Sequence, residues 1–290
     1  MEVNIIFPNK KSLKYYNIVF KLKILNKLKI KIKYKNTTRL IKGKKVKTFS
    51  NAPSIIVFSI HKSASTFLNI LIRMLSDASG LIRIDPASYF AYNQEDVKKK
   101  LLSKKVLNNL FRTKGFIYGP IRWNIAIQNI EKYKILLILR DPRDVLVSYY
   151  YSMRYSHVVI HNDILQEREL ASKMTIDEYV LYVVNEFLIV YRDYMKIFNL
   201  SNVKFIKYED MINNPQQFLK DVQNFLNINL NEEDYQKCLR ELTPNIGKED
   251  VFKHKRSGKT KQFIEKLEKD TVKRLNTILH DVIEYYGFEK

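Results

Sequence analysis

The fold is decided by Ser54-Ile-Ile-Val-Phe-Ser-Ile-His-Lys-Ser-Ala-Ser-Thr-Phe-Leu-Asn-Ile-Leu-Ile-Arg-Met74, near the start of a 290-residue chain. Residues 55–60 are a short, mostly β-branched apolar run, which is typical of a strand buried on both faces. From Thr66 onward the apolar residues recur at helical spacing. The stretch therefore predicts a buried strand, a tight turn and a helix.

The turn, residues 61–66, contains one lysine and three hydroxyl side chains. The backbone N–H groups and positive dipole end of a helix N-terminus suit a phosphate, to which lysine adds a charge and hydroxyls add hydrogen bonds. The turn is not a Walker motif, because the lysine comes first and no glycine occurs between Ser54 and Ser79. From this stretch alone, an ordinary connection with a surface lysine is an equally good interpretation.

Four further short apolar runs predict strands, at residues 81–84, 116–118, 134–140 and 203–206. Helical patterns lie between and after them, at residues 95–112, 123–133, 143–154, 175–199, 214–226, 231–242 and up to 286. Alternating strands and helices predict an α/β three-layer sandwich around a parallel sheet of about five strands. A ligand is expected beyond the carboxyl ends of the strands.

The composition narrows the class of protein. The single cysteine, Cys238, excludes an intrachain disulfide and a cysteine-based metal cluster, and the five histidines show no ligand spacing. We therefore expect no metal. No apolar run reaches the length of a membrane span, and no signal peptide is recognisable, so we expect a cytoplasmic protein.

The positive charge is concentrated at the N-terminus. The chain has a net charge of +21, and residues 1–50 hold fifteen of its Lys and Arg residues against one acid. We predict a Lys-rich extension, 1–50, followed by one domain, 51–290. Within residues 10–47, lysines alternate with apolar residues, most regularly in 28–35, which favours a strand or hairpin with one basic face.

Two interpretations of this extension stay open. In the first, the extension lies on an anionic surface, which is a membrane or nucleic acid. In the second, it is a solvated segment whose lysines prevent edge-strand aggregation. The solvated segment is the favoured interpretation, and no nucleic-acid partner is expected.

Two later segments carry similar chemistry. Residues 139–150, Leu-Arg-Asp-Pro-Arg-Asp-Val-Leu-Val-Ser-Tyr-Tyr, place Arg140 at a strand end and Ser148 two turns into the next helix, where the two side chains suit a second anion. Arg143 and Asp144 are interpreted as structural helix-start residues. Residues 254–263, His-Lys-Arg-Ser-Gly-Lys-Thr-Lys-Gln-Phe, predict a basic loop that closes over a phosphate. This segment is called the late loop below.

These motifs, with Lys-Tyr-Glu-Asp-Met-Ile-Asn-Asn-Pro at 207–215, resemble the sulfotransferases that use 3′-phosphoadenosine 5′-phosphosulfate (PAPS). The resemblance covers residues 54–289. It implies a P-loop NTPase-like fold and transfer of a sulfuryl group, without a metal, to a hydroxyl or amine of a small-molecule, glycan or lipid acceptor.

The resemblance also implies roles for individual residues. The 5′-phosphosulfate would be bound by Lys62, Ser63, Ala64, Ser65 and Thr66. Phe67 would stack on adenine and Tyr208 would lie beside it. The 3′-phosphate would be bound by Arg140, Ser148, Arg256, Ser257 and Gly258. Phe263 occupies the position of a tryptophan that often follows the late loop.

Lys62 is predicted to be catalytic, because it can neutralise the bridging oxygen of the leaving phosphate.

The catalytic base is left open. Many family members have a histidine after the third strand, where this chain reads Tyr-Gly-Pro-Ile-Arg at 118–122. Other branches use a carboxylate after the second strand, which makes Asp85 the first candidate, and the capping of a turn before Pro86 is an equally good interpretation of this residue. His157 and His61 are weaker candidates.

Parts of the sequence also suggest two other functions. An ATP-dependent kinase of related fold needs a magnesium-binding acid after a strand, but the residue that ends the central strand is Arg140. A basic nucleic-acid-binding or membrane-binding protein would depend on residues 1–50 instead.

Overall fold

A computed structural model describes residues 30–156, 162–243 and 259–289. At its centre lies a parallel sheet of five strands with the spatial order β2-β3-β1-β4-β5. The strands are β1 (Ile55–Ser59), β2 (Ile82–Ile84), β3 (Phe116–Ile121), β4 (Lys134–Leu139) and β5 (Val203–Lys207). The prediction of five parallel strands at these places is confirmed.

The middle of the sheet is formed by the most apolar segments of the chain. β1 and β4 pair without interruption from Ile55–Lys134 to Ser59–Ile138. Alternate residues of β1 belong to two different core clusters: Ile56 and Phe58 face one, Ile55 and Val57 the other. A strand covered by helices on both faces must be apolar throughout, which explains why its sequence does not alternate.

Helices cover both faces of the sheet. They are α1 (Lys35–Ile41), α2 (Ser65–Ser79), α3 (Pro86–Tyr92), α4 (Val97–Leu101), α5 (Lys104–Leu110), α6 (Pro142–Tyr151), α7 (Asn162–Lys173), α8 (Ile176–Phe198), α9 (Tyr208–Asn213), α10 (Pro215–Leu226), α11 (Glu232–Leu242), α12 (Gln262–Lys266), α13 (Lys269–Ile278) and α14 (His280–Tyr285). α2 and α9 to α11 supply one core cluster, and α5, α6, α8, α13 and α14 supply the other. The predicted three-layer sandwich is confirmed.

Predicted helix starts agree with the caps in the structure. Thr175 forms a complete capping box with Glu178 at the start of α8. Asn214 and Asn231 accept backbone N–H bonds at the starts of α10 and α11. These signals are readable from sequence because capping is a local interaction between residues three positions apart.

The predicted basic strand before the main domain is wrong for its described part. Residues 30–33 are helical and α1 follows at Lys35–Ile41. The buried residues of this segment are Tyr34, Thr37 and Leu40, which recur every three positions and share one face of a helix. Packing of that face against the domain outweighs the alternation of lysines.

Two predicted helices also differ from the structure. The segment 95–112 forms two helices, α4 and α5, because Ser103 accepts the backbone N–H of Val106 and so caps a new helix that starts at Lys104. The segment 123–133 is irregular apart from a 3₁₀ turn at Ile130–Lys132. There, Ile125 and Ile127 are buried while Ala126 and Gln128 are exposed, which is the burial pattern of an extended chain.

The division into an extension, 1–50, and a domain, 51–290, stays a prediction. Tyr34 packs its ring against Tyr89, and Leu40 belongs to the same core cluster as Ile56 of β1. Among the residues that the structure describes, no helix is long and apolar enough to cross a membrane.

Candidate active site

The turn after β1 has a backbone conformation that suits an anion. Lys62 and Ala64 are both left-handed, with φ of 67° and 57°, and Ala64 directly precedes the fifteen-residue helix α2. Left-handed residues in such a turn direct neighbouring N–H groups into one concavity, where the positive end of the helix dipole adds to them. The hydroxyl of Ser63 is buried and has no hydrogen-bond partner in the structure. A phosphate would satisfy these donors.

The other predicted residues of this turn differ in exposure. Lys62 and Ser65 are half-buried, whereas Thr66 is exposed. Phe67 is buried, with its ring centroid 6.0 Å from that of Phe218 in an edge-to-face arrangement. Stacking of Phe67 on adenine stays a prediction.

Arg140 joins three of the predicted motifs. Its Nη1 donates to the carbonyl of Lys62 at 3.2 Å, and its Nη2 donates to the carbonyl of Lys259 at 2.9 Å. The Nη2 also forms an ion pair with Asp144 at 3.0 Å. The Nε is buried without a hydrogen-bond partner. The first turn, the strand end and the late loop therefore meet around one guanidinium.

Arg143 and Asp144 are structural, as interpreted from the sequence. Arg143 forms a buried ion pair with Asp141 at 2.6 Å, donates to Asn276 at 2.8 Å, and lies over the ring of Phe263 at 4.0 Å. Asp144, besides pairing with Arg140, accepts the backbone N–H of Phe263 at 3.1 Å. These contacts connect the start of α6 to the late loop and the C-terminal helices.

Tyr208 and Glu209 approach Arg140 from the end of β5. The Tyr208 ring lies 4.6 Å from the Arg140 guanidinium. Glu209 accepts the backbone N–H of Asp141 at 3.0 Å, and its other carboxylate oxygen is buried without a partner. Burial raises the pKa of Glu209 to about 7.

The remaining residues of the predicted 3′-phosphate site are only partly described. Ser148 lies in α6 and is half-buried. Arg256, Ser257 and Gly258 lie outside the described residues. The described part of the late loop resumes at Lys259, whose carbonyl contacts Arg140.

Asp85 occupies the end of β2 and is buried. It caps α3 by accepting the N–H of Ser88 at 3.0 Å, so the capping role considered from the sequence is present. It also pairs with Arg83 at 3.3 Å. Burial lowers the pKa of Arg122, which follows β3. The nearby carboxylate of Asp85 partly opposes this effect. The role of Asp85 as a base stays a prediction.

The two histidine candidates are placed differently. His61 is half-buried, with ring centroids 5.5 Å from Trp123 and 6.5 Å from Tyr149. His157 lies outside the described residues.

Sequence reasoning missed three residues that organise the site. Asn69 donates to the Ser65 carbonyl at 3.0 Å and accepts from Arg83 at 2.7 Å, which links the turn to β2. Tyr191 of α8 donates its hydroxyl to the Arg140 carbonyl. Glu209 had a readable signal, since it is an acid two residues after a strand, within the 207–215 motif. Tyr191 had no such signal, because Arg140, whose carbonyl it contacts, lies 51 residues away in the sequence.

A parallel α/β sheet whose central strand leads through a tight turn into a helix is typical of the P-loop-like class of folds. A family model described as "Sulfotransferase domain" matches residues 126–281, more than half of the chain. The chain belongs to this sulfotransferase family, and the protein is an enzyme of that class.

Solved structures show the same fold. Mouse sulfotransferase SULT7A1 complexed with PAP has a TM-score of 0.57 at 18% identity, covering 85% of this chain and 88% of that chain. Retinol dehydratase in complex with androsterone and inactive cofactor PAP has a TM-score of 0.51 at 14% identity, covering 82% of each chain. A second structure of retinol dehydratase, with retinol and PAP, has a TM-score of 0.51 at 15% identity, covering 82% of this chain and 84% of that chain. No curated protein matches the sequence.

No group of three or more His, Cys, Asp or Glu in residues 30–156, 162–243 and 259–289 is arranged to hold a metal ion. The expectation of a metal-free reaction stays a prediction.

Proposed function

We propose that the protein transfers the sulfuryl group of PAPS to a hydroxyl of a small-molecule acceptor. The observation that carries the proposal is the turn after β1, with two left-handed residues, a lysine and an unpartnered buried hydroxyl at the start of α2. Family membership supports the reaction, and the solved structures with PAP support the donor. Amine, glycan or lipid acceptors, a cytoplasmic location and membrane contact through residues 10–47 stay predictions.

The residues of the turn would act on the leaving group. PAPS supplies a sulfuryl group joined through oxygen to a phosphate, which becomes more negative as the bond breaks. Lys62 and the backbone N–H groups of the turn stabilise that charge, and Ser63 donates its hydroxyl. Because the fold holds these hydrogen-bonding groups in place before PAPS binds, little reorganisation is needed during the reaction.

The 3′-phosphate would bind near Arg140. Within the protein, Nη1 of Arg140 donates one hydrogen bond and Nη2 donates two, and the unpartnered Nε is a further donor that would serve an anion. Ser148 and the loop residues Arg256, Ser257 and Gly258 complete this proposed subsite. Tyr208, stacked on the guanidinium, would border the adenine side.

Asp85 is the proposed base for the acceptor hydroxyl. It lies at the carboxyl end of β2, and Asn69 connects its partner Arg83 to the phosphate-binding turn. A carboxylate in this position can accept a proton, provided that the acceptor hydroxyl displaces part of its present hydrogen bonding.

The proposal is tested by calorimetric titration of PAP into the protein without added metal, with ATP–magnesium as the competitor. We expect a dissociation constant on the order of 1 μM. In turnover assays with PAPS, Lys62→Ala should lower the rate by about 10²–10³. Asp85→Asn keeps an N-cap side chain at α3, so it should retain PAP binding and lose about 10²–10⁴ in rate.

Lys273→Ala, which removes an exposed lysine of α13, is the matched control and should leave both measurements unchanged. Undiminished turnover in Lys62→Ala, or a preference for ATP–magnesium over PAP, would contradict the proposal.

A further inference from the structure

A pocket of about 360 Å³ opens beside the proposed active site. It lies between α2, β2, α3 and the segment that precedes α1, and Asp85, the proposed base, is part of its wall. The proposed donor site does not use this pocket.

The pocket is positively charged. Lys33, Arg73 and Arg83 line it, against the single carboxylate of Asp85. Arg83 is the partner of that carboxylate. Among the described residues, no carboxylate forms an ion pair with Lys33 or Arg73, and both side chains are exposed. Two cations are therefore available to a ligand.

The wall also contains buried polar atoms that lack partners. Tyr34 is 3% exposed, and its hydroxyl makes no hydrogen bond of standard geometry, although Lys33 and Ser88 lie near it. The Nε of Arg83 is likewise buried without a partner. An unpaired buried polar group is costly, and a polar ligand would relieve that cost.

The pocket is joined to the phosphate-binding turn through Asn69. Asn69 lies one helical turn after Ser65, to whose carbonyl it donates, and it accepts from Arg83. Arg73 lies one turn further along α2, about 6 Å along the helix axis. Asp85 and Arg73 both line the pocket, so a molecule whose hydroxyl is near Asp85 would reach Arg73 with another of its groups.

We propose that this pocket binds an anionic group of the acceptor, and that the acceptor is a small hydroxy compound carrying a carboxylate, sulfate or phosphate. The inference rests on the proposed function, because it assigns the acceptor class of the same site. Arg73 and Lys33 attract the anion, Tyr34 and Arg83 donate hydrogen bonds, and Asp85 faces the hydroxyl. A neutral acceptor would leave both cations without a counter-charge.

The test uses the full-length protein saturated with PAP, in 150 mM salt to suppress non-specific attraction to its net positive charge. Two matched pairs are titrated by calorimetry: 4-hydroxyphenylacetate against 4-hydroxyphenylacetamide, and gluconate against glucose. We expect at least one acid to bind about tenfold more tightly than its neutral partner. Arg73→Gln should remove that preference and leave the neutral compounds unchanged.

Arg274→Gln, an exposed arginine of α13, is the control and should keep the preference. If neither acid binds better than its neutral partner, or if Arg274→Gln has the same effect as Arg73→Gln, the inference is overturned. The same titrations without PAP separate the two proposals. If the protein does not bind PAP but still binds an acid in a manner that depends on Arg73, the anion pocket is supported and PAPS is rejected as the donor.

Discussion

Arg140 connects residues that are far apart in the sequence. Arg140 is 4% exposed, and its guanidinium contacts the Lys62 carbonyl, the Asp144 carboxylate and the Lys259 carbonyl. Removing one partner of a buried ion pair typically costs about 3–5 kcal/mol, because the other charge is left uncompensated. Arg140→Ala should therefore abolish turnover through loss of structure as well as loss of donor binding, and Lys62→Ala is the cleaner test of the chemistry.

Glu209 should make stability depend on pH. Burial raises its pKa from 4.5 to about 7, so the folded protein binds this proton more tightly than the unfolded chain does. The stability that this proton contributes is complete below pH 4.5 and is lost as the pH rises through 7. The whole effect amounts to about 3 kcal/mol. Glu209→Gln cannot ionise but can still accept the Asp141 N–H, so this part of the pH dependence should vanish.

The measurement is urea unfolding between pH 5 and 8.5. The wild type should lose more stability across this range than Glu209→Gln. Glu265→Gln, which changes an exposed glutamate of α12, should follow the wild type. Parallel curves for the wild type and Glu209→Gln would show that Glu209 does not titrate in this range.

Among the elements, β3 leaves no room for a side chain at Gly119, where it lies against β1. Gly119 has φ of +133°, and a Cβ built there would lie 2.6 Å from the carbonyl oxygen of Val57 in β1. The register of the two strands shifts at this level, between Ile56 and Phe58. Because the contacted atom belongs to the backbone of a central strand, it cannot move aside.

Gly119→Ala should consequently lower the free energy of unfolding by at least about 3 kcal/mol, from backbone strain and the clash with β1. Gly80, which ends α2 with φ of +68°, has open space around it. Gly80→Ala should cost only about 1 kcal/mol, since only the left-handed conformation is penalised. Chemical denaturation of both variants measures the difference, and equal costs would contradict the close approach.

On the scale of the whole molecule, the segment before β1 packs into the same core as the sheet. Leu40 is 1% exposed, and Asn109 of α5 donates to the carbonyl of Ile41 at the end of α1. We therefore expect residues 30–41 to unfold together with the rest of the protein, rather than as part of a separate extension.

Leu40→Ala tests this expectation, because truncating a buried leucine in an integral core should cost about 2–5 kcal/mol. Ile32 is 75% exposed, so Ile32→Ala should change stability by no more than about 0.5 kcal/mol. Both are measured by chemical denaturation. A Leu40→Ala variant as stable as the wild type would indicate that the cooperative domain begins after α1.

The amino-acid sequence by itself determined the elements whose signals are local. The five strands were predicted because parallel strands buried on both faces are uninterrupted apolar runs, and the starts of α8, α10 and α11 because their caps involve neighbouring residues. The strand, turn and helix at residues 55–79 were predicted for the same reason, since they are contiguous, and anion binding by the turn stays a prediction. The family resemblance then added the reaction, which no local pattern contains.

The tertiary structure decided what depends on long-range packing. The order β2-β3-β1-β4-β5 and the contacts of Arg140 with Lys62 and Lys259, 78 and 119 residues away, cannot be read from periodicity. The helical conformation of residues 30–41 and the burial of Glu209 belong to the same group. Local propensities differ by less than 1 kcal/mol per residue, so burial against a distant surface readily reverses them.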